Sequence, residues 1–191
     1  SAPQWVLGGN AILFASERYG LRNHASWGTL EDVMIVFLNR KAYDDFRMTK
    51  EEKELEKQIA GLSEDKDEKK DAKSEKKGDK KEEKKDKVED IVVEFDGIDE
   101  RIMRLTPTSS NLGSAALSKD GKTLYYQAAY ESGMNLWKYD LEKGVPTKVG
   151  SARGRMKWDE KQGTLYVLGG RFSKMKEGGK SLENISVSSD M

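Results

Sequence analysis

A repeat with a spacing of about 41 residues limits the possible folds of this chain more than any other feature. Residues Thr123–Tyr125 (TLY) recur as Thr164–Tyr166, and the same offset aligns Leu117 with Trp158. Residues 5–14 form a weaker third copy, in which a bulky residue, a glycine turn and an apolar strand follow in the same order. A spacing of about 40–45 residues is typical of four-stranded β-propeller blades. The repeat therefore predicts a propeller-like, all-β fold.

The apolar residues follow the two-residue period of β-strands. Short runs of β-branched and aromatic residues alternate with turn signals such as Asp120–Gly121, at the spacing of roughly 8–12 residues that is typical of all-β folds. The runs are Ala11–Ala15, Val33–Leu38, Ile91–Val93, Leu124–Tyr126 and Leu165–Leu168. The predicted fold class is a partial β-propeller of about three four-stranded antiparallel blades, with a charged, partly helical and partly disordered insertion.

The repeat also predicts where the blades begin and end. We expect blades at residues 1–106, 107–150 and 151–191, the first interrupted by the charged insertion at 50–87. The last strand of the first blade is expected near 91–106. The middle copy is the clearest, and its four strands are predicted at 111–118, 123–130, 135–141 and 147–149.

The insertion at residues 50–87 contains 14 Lys and 14 Asp or Glu side chains. Thr49 followed by Glu52 fits a capping box, so a short helix is predicted at 49–59. Beyond Leu62 almost no apolar side chain remains to offset the entropy of ordering, and a solvated, disordered tail is expected there. Because the two signs balance and alternate, charge predicts attraction neither to nucleic acid nor to a membrane surface.

Composition and motifs exclude several classes of site. The chain has no cysteine, which removes disulfides, thiolate catalysis and Cys-ligated metals. The loop at 96–101 is rich in carboxylates but lacks the spacing of a calcium loop, and we expect a solvated turn there. Neither Gly169–Gly170 nor Gly178–Gly179 belongs to a phosphate-binding loop. No cofactor, metal or membrane span is expected, and a start at Ser1–Pro3 without Met indicates a processed or excised chain.

Four segments resemble the tricorn-like serine peptidases. They are SERYGLRNHASWGTLEDV (16–33), VEFDGIDERIMRLT (93–106), LSKDGKTLYYQAAYESGMNLW (117–137) and NISVSSDM (184–191). Enzymes of this family are large, with β-propellers followed by a helical segment, a PDZ domain and a catalytic core. The resemblance implies that this chain is the last part of the propeller region, ends before the missing helical, PDZ and catalytic regions, and lies in the periplasm or cell envelope.

The family's catalytic Ser and His motifs have no counterpart here, so the resemblance implies a chain that is not an enzyme by itself. The implied role is to gate or guide peptide substrates and to dock neighbouring domains. The expected partners are peptides or unfolded protein, the remaining blades, and the PDZ and catalytic domains of the parent. Two alternatives stay open: a freestanding TolB-like or WD-like scaffold for protein interaction, and a chain that is itself a hydrolase.

The candidate substrate-contact residues are Arg18, His24, Trp27 and Arg171, and no catalytic residue is assigned. His24 is the only histidine, and a Ser-His-Asp site with Ser26 and Asp32 is conceivable. Loop residues so close in sequence rarely reach that geometry, so a hydrogen-bonded loop histidine is the favoured interpretation.

Arg18 lies in Ser16–Gly20, which resembles a turn of the family's propellers. Arg18 either faces a channel and grips a peptide carboxylate or carbonyl, or pairs with a local acid while Gly20 takes a positive φ. The second interpretation is favoured.

The tryptophans and the blade count carry two further predictions. Trp5, Trp27, Trp137 and Trp158 are expected to pack between blades rather than to stack on ligands. Closed propellers have typically four to eight blades. About three blades would leave two apolar blade faces uncovered, so the chain is expected either to self-associate or to be poorly stable alone.

Overall fold

The chain forms three four-stranded antiparallel sheets in a computed structural model, which describes residues 3–20, 28–67, 90–130 and 133–186. In each sheet, consecutive strands are neighbours. The first sheet consists of β1 (Gln4–Val6), β2 (Ala11–Ser16), β3 (Asp32–Phe37) and β4 (Ile102–Arg104). The second consists of β5 (Asn111–Leu117), β6 (Thr123–Ala129), β7 (Asn135–Asp140) and β8 (Val145–Ser151). The third consists of β9 (Arg155–Trp158), β10 (Thr164–Leu168), β11 (Phe172–Lys176) and β12 (Glu183–Ile185). The predicted all-β class with three four-stranded antiparallel sheets is confirmed. The part of the insertion beyond residue 67, where disorder was predicted, lies outside the described residues.

The second sheet lies between the other two. Its neighbouring residues Tyr125 and Tyr126 point to opposite faces, as alternation along a strand requires. Tyr126 belongs to a buried cluster shared with the first sheet, and Tyr125 to one shared with the third. The first cluster comprises Ala11, Leu13, Val33, Ile35, Phe37, Leu105, Ala115, Leu117, Leu124, Tyr126 and Ala128. The second comprises Ala116, Tyr125, Leu136, Met156, Leu165, Val167 and Met175.

The strands of the second sheet match their predicted positions closely, except that β8 extends over Val145–Ser151 rather than 147–149. The prediction of a strand at Ile91–Val93 is wrong. Those residues form no strand, and Ile91 and Val92 are exposed. The edge of β3 pairs instead with β4, where Val36 lies opposite Ile102.

Two helices follow β3, and the insertion begins with the second. Helix α1 (Arg40–Arg47) was not predicted; its N-cap is Asn39, whose side chain accepts a hydrogen bond from the Ala42 amide. Helix α2 (Lys50–Asp67) starts with the predicted capping box. The Thr49 amide donates to Glu52 Oε2 at 2.7 Å, and the Glu52 amide donates to Thr49 Oγ1 at 3.3 Å. The helix continues past Leu62 to Asp67. The predicted helix, which ended at residue 59, was therefore too short, and the tail starts later than predicted.

Arg101 corrects the prediction of a solvated charged loop. The turn at Asp96–Gly97 is confirmed, but Arg101 is only 2% exposed. Its guanidinium donates to the backbone carbonyls of Phe37 (3.3 Å), Asp96 (2.9 Å) and Glu94. Hydrogen bonds of this kind are what make a buried charge tolerable. Arg101 therefore fastens the end of the insertion to β3, directly before β4.

The tryptophan prediction holds for two of the four residues. Trp137 and Trp158 are half-buried and pack against the first and second clusters, respectively. Trp5 is 62% exposed, which contradicts a core position, because the second sheet packs on the opposite face of the first sheet. Trp27 lies outside the described residues.

Candidate binding surface

Each sheet is antiparallel with its strands in chain order, so successive connections lie at opposite ends of the strands. The connection between the second and third strands of a sheet therefore lies at the same end as the linker that leads from its fourth strand to the next sheet. We call this end the linker rim. Its described parts are 17–20, 28–31, 105–110, 130, 133–134, 152–154 and 169–171. The backbones of Glu31 and Ser110 exchange hydrogen bonds of 2.8 and 3.0 Å, which join a connection to a linker. The opposite rim carries the insertion.

Two of the four candidate residues, Arg18 and Arg171, lie in connections of the linker rim. Both are exposed. They belong to different sheets, Arg18 to the β2–β3 connection and Arg171 to the β10–β11 connection. His24 and Trp27 fall outside the described residues, so their predicted roles stay predictions.

Arg18 departs from its favoured interpretation. None of the ion pairs formed within the described ranges includes Arg18, and its guanidinium carbon instead lies 5.7 Å from the centre of the Tyr19 ring. Gly20 has no positive φ, which corrects that prediction. Gly20 is required for another reason: a Cβ there would lie 1.6 Å from the Leu30 carbonyl oxygen.

Asp32 forms a buried polar cluster on the linker rim that the sequence did not reveal. Its fully buried carboxylate accepts hydrogen bonds from Arg104 Nε, Thr106 Oγ1 and Ser109 Oγ, each at 2.8 Å. The cluster ties the start of β3 to the end of β4 and to the linker that follows. Because both carboxylate oxygens are already engaged, Asp32 has a structural role in this arrangement.

A groove opens on the linker rim between the second and third sheets, with a volume of about 1100 Å³. We call it the arginine groove. Its lining includes Arg153, Arg171, Ser151, Ser173, Asn184, Val149, Val167 and Leu182. The two arginines are the charged residues of the lining, which contains no acidic side chain. Within the described part of the chain, neither arginine takes part in an ion pair. The groove therefore carries two positive charges, which favour an anionic or carbonyl-rich ligand.

Two glycines allow the arginine groove to form. A Cβ on Gly154 would lie 2.4 Å from the Leu168 carbonyl oxygen, and a Cβ on Gly169 would lie 2.0 Å from that of Arg153. The sheet linker and the β10–β11 connection can thus cross in close contact only because both positions are glycine. Gln127, which is buried, fixes the crossing by accepting a hydrogen bond from the Gly154 amide at 3.2 Å.

Arg153 is a lining residue that the sequence analysis did not select. A signal was present: Arg153 and Arg171 each lie next to a glycine in a predicted blade connection. Only the crossing of the two connections brings both arginines to one groove, and that crossing depends on contacts between backbones far apart in sequence.

A second pocket, of about 830 Å³, lies on the opposite rim at the root of the insertion. Its lining includes the apolar side chains of Leu7, Phe46 and Leu141. Glu142 lies at its edge and pairs with Lys50 (3.0 Å) and Lys122 (3.1 Å). The Lys50 and Lys122 hydrogen bonds lower the pKa of Glu142. These contacts fasten the start of α2 to the second sheet, so this pocket serves to seat the insertion.

In the described ranges, no group of three or more His, Asp or Glu side chains is placed to hold a metal ion. None of the helices that the structure describes is both long enough and apolar enough to cross a membrane.

The fold is similar to that of solved propeller-containing proteins. A crystal structure of the tricorn protease matches 97% of this chain with a TM-score of 0.55 and 10% sequence identity. TolB from Acinetobacter baumannii matches 98% of the chain with a TM-score of 0.49 and 10% identity. The chain spans only 17% and 32% of the lengths of those two proteins. No protein-family model and no curated protein sequence matches the chain. The likeness therefore shows the fold alone. The three sheets are propeller-like.

Proposed function

We propose that this chain is a non-catalytic β-propeller segment of a tricorn-like serine peptidase, in which it guides peptide substrates and docks neighbouring domains. The observation that carries the proposal is the arginine groove on the linker rim of a propeller-like stack. Under this proposal the chain works in the periplasm or cell envelope, as the resemblance of its sequence segments implies.

The groove suits an extended peptide better than a small molecule. Its volume of about 1100 Å³ lies at or above the upper end of the usual range for small-molecule pockets, which is about 300–1,000 Å³. The lining combines the apolar side chains of Val149, Val167 and Leu182 with hydroxyl and amide groups. An unfolded peptide offers both apolar side chains and unpaired backbone carbonyls to such a surface.

The two guanidinium groups supply the directional part of the interaction. Arginine donates several hydrogen bonds from a rigid planar group and binds carboxylates in a bidentate manner. Arg153 and Arg171 are exposed and carry no competing acid in the lining, so they remain available to a peptide carboxylate or carbonyl.

Binding of a fluorescently labelled, unstructured peptide, followed by anisotropy, tests the proposal. We expect saturable binding that weakens about tenfold or more in the Arg153→Gln/Arg171→Gln variant, which corresponds to about 1.4 kcal/mol. Lys161→Gln is the matched control, because Lys161 is an exposed cation outside the lining. Binding of folded proteins with no binding of peptides would instead favour the freestanding scaffold.

The hydrolase alternative has its own test. Peptide cleavage by the purified chain that disappears in His24→Ala would overturn the non-catalytic assignment. The two kinds of variant separate peptide binding from peptide cleavage. Arg153→Gln/Arg171→Gln would weaken binding, whereas His24→Ala would abolish cleavage.

A further inference from the structure

Helix α2 carries two apolar side chains into solvent beyond its first turn. The first turn is held by the capping box and by the ion pair of Lys50 with Glu142 at 3.0 Å. Beyond it, Leu55 and Ile59 are 57% and 59% exposed. Because they are four positions apart, these two side chains are neighbours on one face of the helix. We call them the Leu55–Ile59 ridge.

The charged side chains around the ridge are acidic. Residues three and four positions apart are neighbours on a helix surface. Among the residues whose side chains the structure describes, those positions around the ridge hold Glu51, Glu52, Glu56 and Gln58, all of them exposed. None of the ion pairs within the described ranges includes one of these glutamates. At 3.6 residues per turn, Glu51 lies on one side of the ridge and Glu56 on the other.

Neither the insertion nor a second copy of α2 matches this surface. Residues 63–87 of the insertion contain a single apolar side chain, Ala72, which is too small to cover a leucine and an isoleucine. A second copy of α2 packed on the ridge would bring its own glutamates against Glu51 and Glu56, and like charges in contact disfavour such a pairing. The matching occupant therefore supplies large apolar side chains together with positive charge.

We propose that the Leu55–Ile59 ridge docks a basic amphipathic helix of a partner protein. Apolar side chains of the partner, spaced at one face of its helix, pack around Leu55 and Ile59 as ridges pack into grooves between two helices. Lysine or arginine side chains beside them pair with Glu51 and Glu56. The ridge belongs to the insertion, on the rim opposite the arginine groove, so a peptide in the groove and a helix on the ridge can bind at the same time.

Fluorescence anisotropy with a defined probe tests the proposal. The probe is a labelled synthetic helix of about 20 residues, with leucine at the a and d positions of each heptad and lysine at the e and g positions. We expect saturable binding that weakens about tenfold or more in Leu55→Gln/Ile59→Gln. Glutamine has nearly the helix propensity of leucine, so the circular dichroism spectrum should not change. Val145→Gln is the control, because Val145 is 53% exposed and lies in β8, outside α2.

A second probe and a second pair of variants test the role of charge. A probe with the same leucines but glutamate in place of lysine should not bind at about 500 μM. With the basic probe, Glu56→Gln should weaken binding about threefold, as expected for an exposed ion pair. Glu54→Gln is the matched control and should weaken it less. Glu54 is also an exposed acid of α2, but it is not three or four positions from either ridge residue.

Several results would overturn the proposal. They are no binding of the basic probe at about 500 μM, equal binding of the two probes, and binding that persists in Leu55→Gln/Ile59→Gln. A wild-type chain that forms dimers in light scattering, and becomes monomeric in that same variant, would also overturn it, because a second copy would then cover the ridge. None of these results bears on the arginine groove, so the two proposals fail independently.

Discussion

Trp158 Nε1 donates a hydrogen bond to the carbonyl oxygen of Leu117 at 2.8 Å. The two residues are one repeat apart. Each is the last residue of the first strand of its sheet, Trp158 in β9 and Leu117 in β5. The sequence repeat is therefore also a physical contact, which joins equivalent positions of the second and third sheets. This relationship leads to the first prediction.

Trp158→Phe should destabilise the chain by about 1 kcal/mol, because the aromatic packing on Tyr125 remains while one hydrogen bond is lost. Trp158→Ala should cost about 3 kcal/mol, because it also leaves a cavity against Tyr125. Urea denaturation of both variants measures the difference. Equal costs for the two would show that the ring contact adds nothing to stability.

Arg101→Gln should destabilise the chain by at least about 3 kcal/mol, since three backbone carbonyls lose a charged donor in a buried position. Arg101→Lys should not restore stability, because an ammonium group lacks the planar fork that reaches all three. Arg153→Gln is the control and should be neutral, since Arg153 is exposed. A stability of Arg101→Gln within about 0.5 kcal/mol of the wild type would contradict the anchoring role.

Asp32→Asn should cost about 2–3 kcal/mol, because the amide keeps the shape of the side chain but leaves Arg104 without its carboxylate. Asp45→Asn is a matched control whose partner Lys41 is largely exposed, and its cost should stay below about 0.5 kcal/mol. Thermal unfolding of the two variants provides the comparison. Equal midpoints would argue against a stabilising cluster on the linker rim.

Glu142 should make the seat of the insertion sensitive to pH. The hydrogen bonds with Lys50 and Lys122 lower its pKa in the folded chain. Its contribution to stability is therefore present above the ordinary glutamate pKa and is lost as the pH falls through the lowered value. The difference in melting temperature between the wild type and Glu142→Gln should be present at about pH 7 and shrink as the pH falls below the ordinary glutamate pKa of about 4.3. A difference that does not change with pH would contradict these ion pairs.

The sequence predicted the sheets well because their determinants are local and repeated. Turn signals and two-residue periodicity located β5 to β7 almost to the residue, and the Thr49–Glu52 capping box located the start of α2. Strand propensity alone failed at Ile91–Val93. There the pairing with β3 goes to Ile102–Arg104, which Arg101 fixes in place.

The candidate site was predicted only in part because its determinants are distant in sequence. Arg171 was among the candidate substrate-contact residues, but Arg153, which lines the same groove, was not. Arg101 resembled a solvated residue in a charged loop, since its carbonyl partner at Phe37 lies 64 positions away. Asp32 likewise depends on Arg104, Thr106 and Ser109. Single-sequence patterns do not report contacts of this kind.

Hydrogen exchange of the chain with and without an unstructured peptide tests the central claim most directly. The account predicts that the amides of 152–154 and 169–171 exchange more slowly when the peptide is present, while those of 118–122 on the opposite rim do not change. The protection should be lost in Arg153→Gln/Arg171→Gln. Protection on the opposite rim alone, or unchanged exchange at saturating peptide, would contradict peptide binding in the arginine groove.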